Sequence, residues 1–170
     1  MHPSSPLTPR PTFRRPHLGI ALVGALVAAP LGAQDTRAAT AKVTPVPANA
    51  CASLRGHEVA SAAGGSLLEE FAAPTIGTDS RCRYRVITAG RQQVIMLWFM
   101  PPEHFAALKR FQQDVVAPAR GIGDDAVLSF HRDTEQWDLL AFRKGRIVTR
   151  VTGADSAVVR RVTLAALSKF

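Results

Sequence analysis

The sequence has few of the groups from which catalytic and metal sites are usually built. It contains two cysteines, one tyrosine and 6% aromatic residues, and 21 lysines and arginines outnumber 13 acidic side chains. No histidine after position 33 has a second histidine or cysteine three or four residues away, so no zinc signature exists. A Gly-x-Ser-x-Gly nucleophile turn is missing too. We therefore expect no metal and no cofactor, and we assign no catalytic residue.

The chain also lacks an apolar run long enough to cross a bilayer, which takes about 20 residues. Its longest run covers residues 18–31 (LGIALVGALVAAPL), and a small residue, Ala33, follows it. The basic residues ahead of the run are Arg10, Arg14 and Arg15. This order predicts a signal peptide over residues 1–33, cleaved after Ala33. We expect an exported protein, periplasmic or extracellular, without a stable membrane span after cleavage; an uncleaved anchor is the alternative.

Acidic residues are scarce enough to leave the exported chain basic. The whole sequence has a formal charge of +8, and removal of residues 1–33 leaves eighteen basic against thirteen acidic side chains, a charge of +5. A modest positive charge favours anionic surfaces of any kind and does not select nucleic acid. We therefore expect no nucleic-acid partner.

A flexible arm is predicted between the signal peptide and the folded domain. Residues 34–50 (QDTRAATAKVTPVPANA) show no apolar period, and Pro45 and Pro47 favour extended backbone. No apolar run directly precedes Cys51, so lipidation of that cysteine is not expected. One domain is predicted over residues 51–170.

Cys51 and Cys82 are predicted to form a disulfide. Export places them in an oxidising compartment, where two cysteines usually pair. A redox pair normally has C-x-x-C spacing, whereas these two are far apart. A loop of this size stabilises a fold by about 3–4 kcal/mol.

A row of arginines alternates with apolar residues in the strand predicted over residues 80–88. Cys82, Tyr84 and Val86 occupy one face by period-two spacing. The candidate anion-binding residues are Arg81, Arg83 and Arg85 on the other face, with Arg91 after the following turn. A solvated sheet surface is the alternative interpretation of this pattern.

The most apolar stretch after the signal peptide, residues 93–100 (QVIMLWFM), is predicted to be a central strand covered on both sides. One of its faces consists of Met96, Trp98 and Met100. Together with Trp137 these form a candidate apolar groove. Packing in a core is the favoured interpretation, because such stripes are normally buried.

The remaining pattern predicts further strands and helices. A short helix and a strand over residues 66–73 lie between the cysteines, although a helix is also compatible with residues 66–73. Phe105, Leu108, Phe111 and Val115 recur at helical spacing. The later strands are predicted over residues 126–131, 137–143 and 146–152, followed by a helix capped by Asp155.

The glycine-rich segment over residues 121–126 (GIGDDA) is predicted to be a tight corner that leads into a strand. A phosphate loop would need a Lys-Ser/Thr pair and a helix after the glycines, and a calcium loop would need more regularly spaced oxygen ligands. Neither pattern is present.

Several short motifs resemble those of small secreted bacterial domains that have two cysteines and no assigned function. The motifs are CASL at 51–54, EVA at 58–60, Cys82 at the start of a strand, and GIGDDA at 121–126. Some members of this group share a PsbP-like architecture, in which helices pack on a sheet. The resemblance implies such a fold over residues 51–170 and carries no catalytic residue across. Many members are lipoproteins, whereas this chain lacks a cysteine that is expected to be lipidated.

The expected fold is α+β, with an antiparallel sheet of about five to six strands, three helices packed on it and one disulfide. A non-enzymatic binding or interaction module, with an unidentified envelope or extracellular protein as partner, is the first functional hypothesis. The second is a binder of anionic polymers or lipid headgroups through the arginines. The third is a hydrolase, because catalytic groups can assemble in space from scattered positions.

Overall fold

The computed structural model describes residues 45–112, 114–143 and 145–170. These residues form seven strands and four helices. The strands are β1 (Gly65–Ile76), β2 (Asp79–Thr88), β3 (Arg91–Met100), β4 (Val115–Pro118), β5 (Asp125–His131), β6 (Gln136–Arg143) and β7 (Ile147–Gly153). The helices are α1 (Ala50–Ser53), α2 (Gly56–Ala63), α3 (His104–Phe111) and α4 (Ser156–Leu167).

The strands form one antiparallel sheet in the order β1-β2-β3-β7-β6-β5-β4. Two meanders, β1 to β3 and β4 to β7, therefore meet where β3 pairs with β7. Residues directly opposite each other across antiparallel strands point to the same side of the sheet, so the register assigns each side chain to a face. One such row consists of Ala73, Arg81, Trp98, Arg150 and Leu140.

Helices α1, α2 and α4 cover one face of the sheet, here called the helix-covered face. The prediction that Cys82, Tyr84 and Val86 share one face of β2 is confirmed, because all three are completely buried beneath these helices. Helix α4 begins where predicted, since the Asp155 carboxylate accepts hydrogen bonds from the backbone N–H groups of Ala157 (2.7 Å) and Val158 (3.0 Å).

The predicted disulfide between Cys51 and Cys82 is present and joins α1 to β2. A second link lies beside it, where the buried hydroxyl of Tyr84 donates a hydrogen bond to the carbonyl oxygen of Leu54. Leu54 directly follows α1, so two neighbouring residues of the buried side of β2 hold the same short helix.

Helix α3 covers only part of the opposite face. Its Phe105 stacks on Phe142 of β6 at 4.9 Å between ring centres and packs with Met100, Leu140 and Val148. The strand ending at Met100 was predicted to be covered on both sides. The structure agrees only at the end of the strand, around Met100. Over the rest of this face, on β1, β2 and most of β3, the described residues place no helix, apart from the contact between His104 at the start of α3 and Asp79 at the start of β2.

The structure has one more helix and at least one more strand than predicted. The short helix α1 was not predicted, and the prediction that Val115 belongs to the middle helix was wrong. Helix α3 ends at Phe111, because Gln112 is extended and Asp114 has a φ of 58°. Val115 instead begins β4, which pairs with β5, as suits a β-branched residue.

The glycine-rich segment over residues 121–126 lets its backbone pass close to the backbone of β6. A Cβ atom at Gly123 would lie 2.5 Å from the carbonyl oxygen of Phe142, and Gly123 has a φ of 62°. The next residue, Asp124, donates its backbone N–H to that same oxygen at 2.9 Å. Strand β5 starts directly afterwards, which agrees with a tight corner leading into a strand.

The predicted signal peptide and the first residues of the predicted arm lie outside the described residues. The last residues of that arm contribute to the core, since Val46 packs against it and Ala50 is buried. None of the helices formed by the described residues is long and apolar enough to span a membrane.

Candidate functional site

Three arginines of β2 lie on the part of the sheet that α3 leaves open. The strand pairing places them opposite residues of β3, with Arg81 facing Trp98, Arg83 facing Met96 and Arg85 facing Val94. We call this open surface of β1, β2 and β3, with the adjoining Arg150 of β7, the arginine face. Alternate residues of a strand are about 6.6 Å apart, so the three arginines span about 13 Å.

Arg81 and Arg83 carry positive charge that no carboxylate of the described residues neutralises. Arg83 lies over the ring of Phe71, with its guanidinium carbon 5.4 Å from the ring centre. Arg81 donates a hydrogen bond from Nε to the carbonyl oxygen of Pro74 at 2.8 Å. Neither forms an ion pair with another residue that the structure describes. Both guanidinium groups are therefore available to an external anion.

Arg85 differs from its two neighbours because it has an acidic partner. Its Nη1 lies 3.2 Å from Oε2 of Glu69 on β1, and about two-fifths of each side chain is exposed. An exposed ion pair of this kind contributes about 0–1 kcal/mol and opens readily. Arg85 therefore adds less uncompensated charge to the arginine face than Arg81 or Arg83 does.

Arg150 of β7 is held in place by a buried carboxylate. Asp138 is completely buried, and its Oδ2 accepts hydrogen bonds from Nη2 (2.6 Å) and Nε (2.9 Å) of Arg150. The guanidinium carbon of Arg150 also lies 5.1 Å from the centre of the Trp98 ring. A doubly hydrogen-bonded and stacked arginine has little rotational freedom, so its position is set before any ligand arrives.

Two further polar groups contact the carboxylate of Asp138. Gln112 donates from Nε2 at 3.2 Å, and Nε2 of His131 lies 3.3 Å away. A carboxylate beside a histidine is an arrangement that can orient a general base. The hydroxyl of Ser129, which stands opposite Asp138, is completely buried and donates to Oε1 of Gln112. The contacts of Asp138 therefore hold Arg150 in place and join it to Gln112 and His131.

Asp138 was not identified from the sequence. It lies in the apolar segment QWDLLAF, where a single charged residue inside a buried strand was the available signal. His131 and Arg150 are far from it along the chain. Their proximity follows from the pairing of β5, β6 and β7, which the sequence does not specify residue by residue.

Arg91 does not join the other candidate anion-binding residues. It stands opposite Thr88, which shares the side of β2 that carries Val86. Arg91 therefore points to the side of the helix-covered face, where it is exposed. The structure places Arg81, Arg83, Arg85 and Arg150 on the same side of the sheet.

The candidate apolar groove is divided between the two faces. Met96 and Trp98 are half-buried on the arginine face, whereas Met100 is buried under α3. Trp137 lies on the opposite side, where it contacts Phe130 at 4.9 Å between ring centres and packs against the helix-covered core. Of the four groove candidates, only Met96 and Trp98 can therefore contact a ligand on the arginine face.

One set of potential metal ligands comes together among the described residues. Sulfur atoms of Cys51 and Cys82 and a carboxylate oxygen of Glu70 lie within 4.8 Å of one another. The sulfurs are joined in a disulfide and offer no thiolate. The Glu70 carboxylate accepts the backbone N–H of Gly56 at 2.6 Å, so this group has a structural explanation.

The pKa values that depart from their usual range belong to residues that hold the helices. Burial raises the pKa of the Tyr84 hydroxyl. Hydrogen bonds from Lys169 and from the backbone N–H of Arg55 lower the pKa of Glu58 in the first turn of α2. Both shifts concern the helix-covered side of the molecule and mark structural contacts.

No known protein family, curated protein or solved structure matches this chain. The function is therefore inferred from the geometry and charge of the arginine face.

Proposed function

We propose that this protein is an exported, non-enzymatic binding module that holds an acidic ligand on the arginine face. The observation that carries the proposal is the pair Arg81 and Arg83, which has no acidic partner among the residues described. Guanidinium groups form paired hydrogen bonds with carboxylates, phosphates and sulfates. The signal-like residues 1–33 and the disulfide support export to an oxidising compartment.

Arg150 and Trp98 support the same proposal. The contact with Asp138 keeps Arg150 beside Trp98, so a ligand does not have to order this side chain on binding. The half-buried rings and thioether between the arginines offer apolar contact to the uncharged part of a ligand. The surface therefore suits ligands that combine acidic groups with an apolar part.

The proposal is tested by titration with a soluble sulfated oligosaccharide derived from heparin. Replacing both Arg81 and Arg83 with glutamine removes the two uncompensated charges without altering the buried core. We expect the dissociation constant to rise by at least about tenfold at low salt. Binding of the unchanged protein is expected to weaken as salt is added.

A double variant, Arg120→Gln with Arg132→Gln, is the matched control. Both residues are exposed and lie away from the arginine face, so the net charge changes equally. The control should bind nearly as well as the unchanged protein. An equal loss in both double variants would show that binding depends on net charge alone and would refute the proposed site.

A further inference from the structure

The arginine face also carries exposed apolar side chains. Phe71 and Ile76 of β1 are 51% and 63% exposed. The register places both on the same side as the arginines, because Phe71 stands opposite Arg83 and Ile76 stands opposite Asp79, two residues before Arg81. Ile87 and Val94 are exposed on this side as well.

These apolar residues surround the arginines. Ile76 is the last residue of β1, next to the β1–β2 turn, and Ile87 lies near the other end of β2. Phe71 lies on β1, which forms the edge of the sheet. An exposed apolar rim around a cationic centre marks a surface that contacts a partner of matching character.

As formed by the described residues, the surface is broad and not enclosed. It spans three neighbouring strands, and α3 covers part of the remaining strands on this side of the sheet. A small anion would contact one or two guanidinium groups and leave the apolar rim in water. An extended anionic surface would contact the arginines and the rim together, because both lie on the same side of one sheet.

We propose that the arginine face docks on an anionic lipid surface. This inference rests on the proposed binding function and identifies its acidic ligand as lipid phosphate. Phe71 and Ile76 enter the boundary between headgroups and acyl chains, as apolar side chains of peripheral proteins do. Arg81 and Arg83 bind phosphate oxygens at the level of the headgroups, with their aliphatic stems lying among the apolar residues.

Charge also argues against a second copy of the chain as occupant. Two arginine faces packed together would bring uncompensated arginines of one copy against those of the other. Like charges at close range oppose association. An anionic lipid surface supplies the opposite charge to Arg81 and Arg83, whereas the carboxylates on this face already have partners, Glu69 in Arg85 and Asp79 in His104. It is therefore the occupant that both the charge and the apolar rim of the face favour.

The test measures, by co-sedimentation, how residues 34–170 bind to phosphatidylglycerol vesicles. We expect binding to phosphatidylglycerol, weakening with salt, and little binding to phosphatidylcholine vesicles. Replacing Ile76 with serine should weaken vesicle binding by about tenfold. The same variant should keep its affinity for the soluble heparin oligosaccharide, which has no acyl chains. The matched control, Leu164→Ser, removes another exposed apolar residue, from α4, and should change neither measurement.

The two measurements separate this inference from the proposed function. If the protein binds the oligosaccharide but not the vesicles, the lipid inference fails while the acidic-ligand proposal stands, and an acidic polymer or protein becomes the partner. If it binds neither, both fail. If the Ile76→Ser variant binds vesicles as tightly as the unchanged protein, the apolar rim has no role and the proposed docking mode is wrong.

Quenching of Trp98 fluorescence by brominated lipids provides a second readout in a Trp137→Phe background. Trp98 lies on the arginine face, so docking brings it near the lipid, and we expect strong quenching. Unquenched emission from vesicle-bound protein would show that another surface makes the contact.

Discussion

Asp138 is the residue on which the position of Arg150 depends. A completely buried carboxylate is costly to remove from water unless it is paired and hydrogen-bonded. Arg150, His131 and Gln112 together meet that requirement. The cluster therefore links stability to the arginine face, because the same guanidinium that neutralises Asp138 also stacks on Trp98.

Replacing Asp138 with asparagine should lower the free energy of unfolding by about 2–4 kcal/mol, measured by urea denaturation. The variant keeps the shape of the side chain but leaves the guanidinium of Arg150 without its counter-charge. The double variant Asp138→Leu with Arg150→Met should be more stable than Asp138→Leu alone, because it removes both charges. A loss of less than about 0.5 kcal/mol for Asp138→Asn would show that the pair contributes little.

Residue-level prediction from the sequence succeeded where a local rule applied. Alternation along one strand identified the side of Arg81, Arg83 and Arg85, and the helix cap at Asp155 follows from its own neighbours. Arg91 was a candidate without an assigned side, and it lies on the other side of the sheet from these three arginines because a turn intervenes between it and the alternating segment. The cluster at Asp138 depends on pairing between strands, for which the sequence contains no local signal.

At the scale of elements, α1 and β2 are joined more strongly than their lengths suggest. Helix α1 has four residues and is too short to be stable by itself. The Cys51–Cys82 disulfide and the Tyr84 hydrogen bond to Leu54 fasten it to the sheet. Both links join residues that are distant in sequence, and a helix of four residues is too short to show a helical period, so the sequence did not predict it.

Replacing Tyr84 with phenylalanine should lower the free energy of unfolding at about pH 8 by about 1–2 kcal/mol, because the carbonyl of Leu54 loses its buried donor. The difference from the unchanged protein should shrink at alkaline pH. Burial raises the pKa of Tyr84 in the folded state, so this stabilisation is complete below the unfolded pKa of about 10 and is lost as pH rises above it.

Urea unfolding of both proteins at about pH 8 and about pH 10.5 measures this effect. Tyr84 is the only tyrosine, so tyrosinate absorbance reports its ionisation directly. Ionisation of the folded protein near pH 10, with no change in stability relative to the variant, would contradict the raised pKa.

The middle helix shows where element boundaries escape sequence analysis. Phe111 and Val115 fit one helical period, yet they belong to a helix and a strand. The chain leaves the helix at Gln112, whose side chain bonds to Asp138 and Ser129. A tertiary contact thus competes with local periodicity, and only the folded sheet provides it.

For the whole molecule, the central question is whether its two meanders act as one unit. They pair only where β3 meets β7, but α4 packs on β6 and β7 and also contacts α2, which lies over β1 and β2. The helix-covered core is therefore shared between both meanders.

The α+β class was predictable because it follows from alternation and helical periods within segments. The strand order was not, since it is set by this shared core.

The two tryptophans allow the coupling of the meanders to be measured, because Trp98 belongs to the first and Trp137 to the second. In the variants Trp137→Phe and Trp98→Phe, each remaining tryptophan reports one meander during urea unfolding. Replacing Cys51 and Cys82 with alanine should lower the free energy of unfolding by about 3–4 kcal/mol in both reporters. The disulfide lies beside the first meander, so an equal loss at Trp137 requires that both meanders unfold together. A loss confined to Trp98 would show that β4 to β7 with α4 form an independently stable unit, and that the β3–β7 pairing and the shared core couple the two parts weakly.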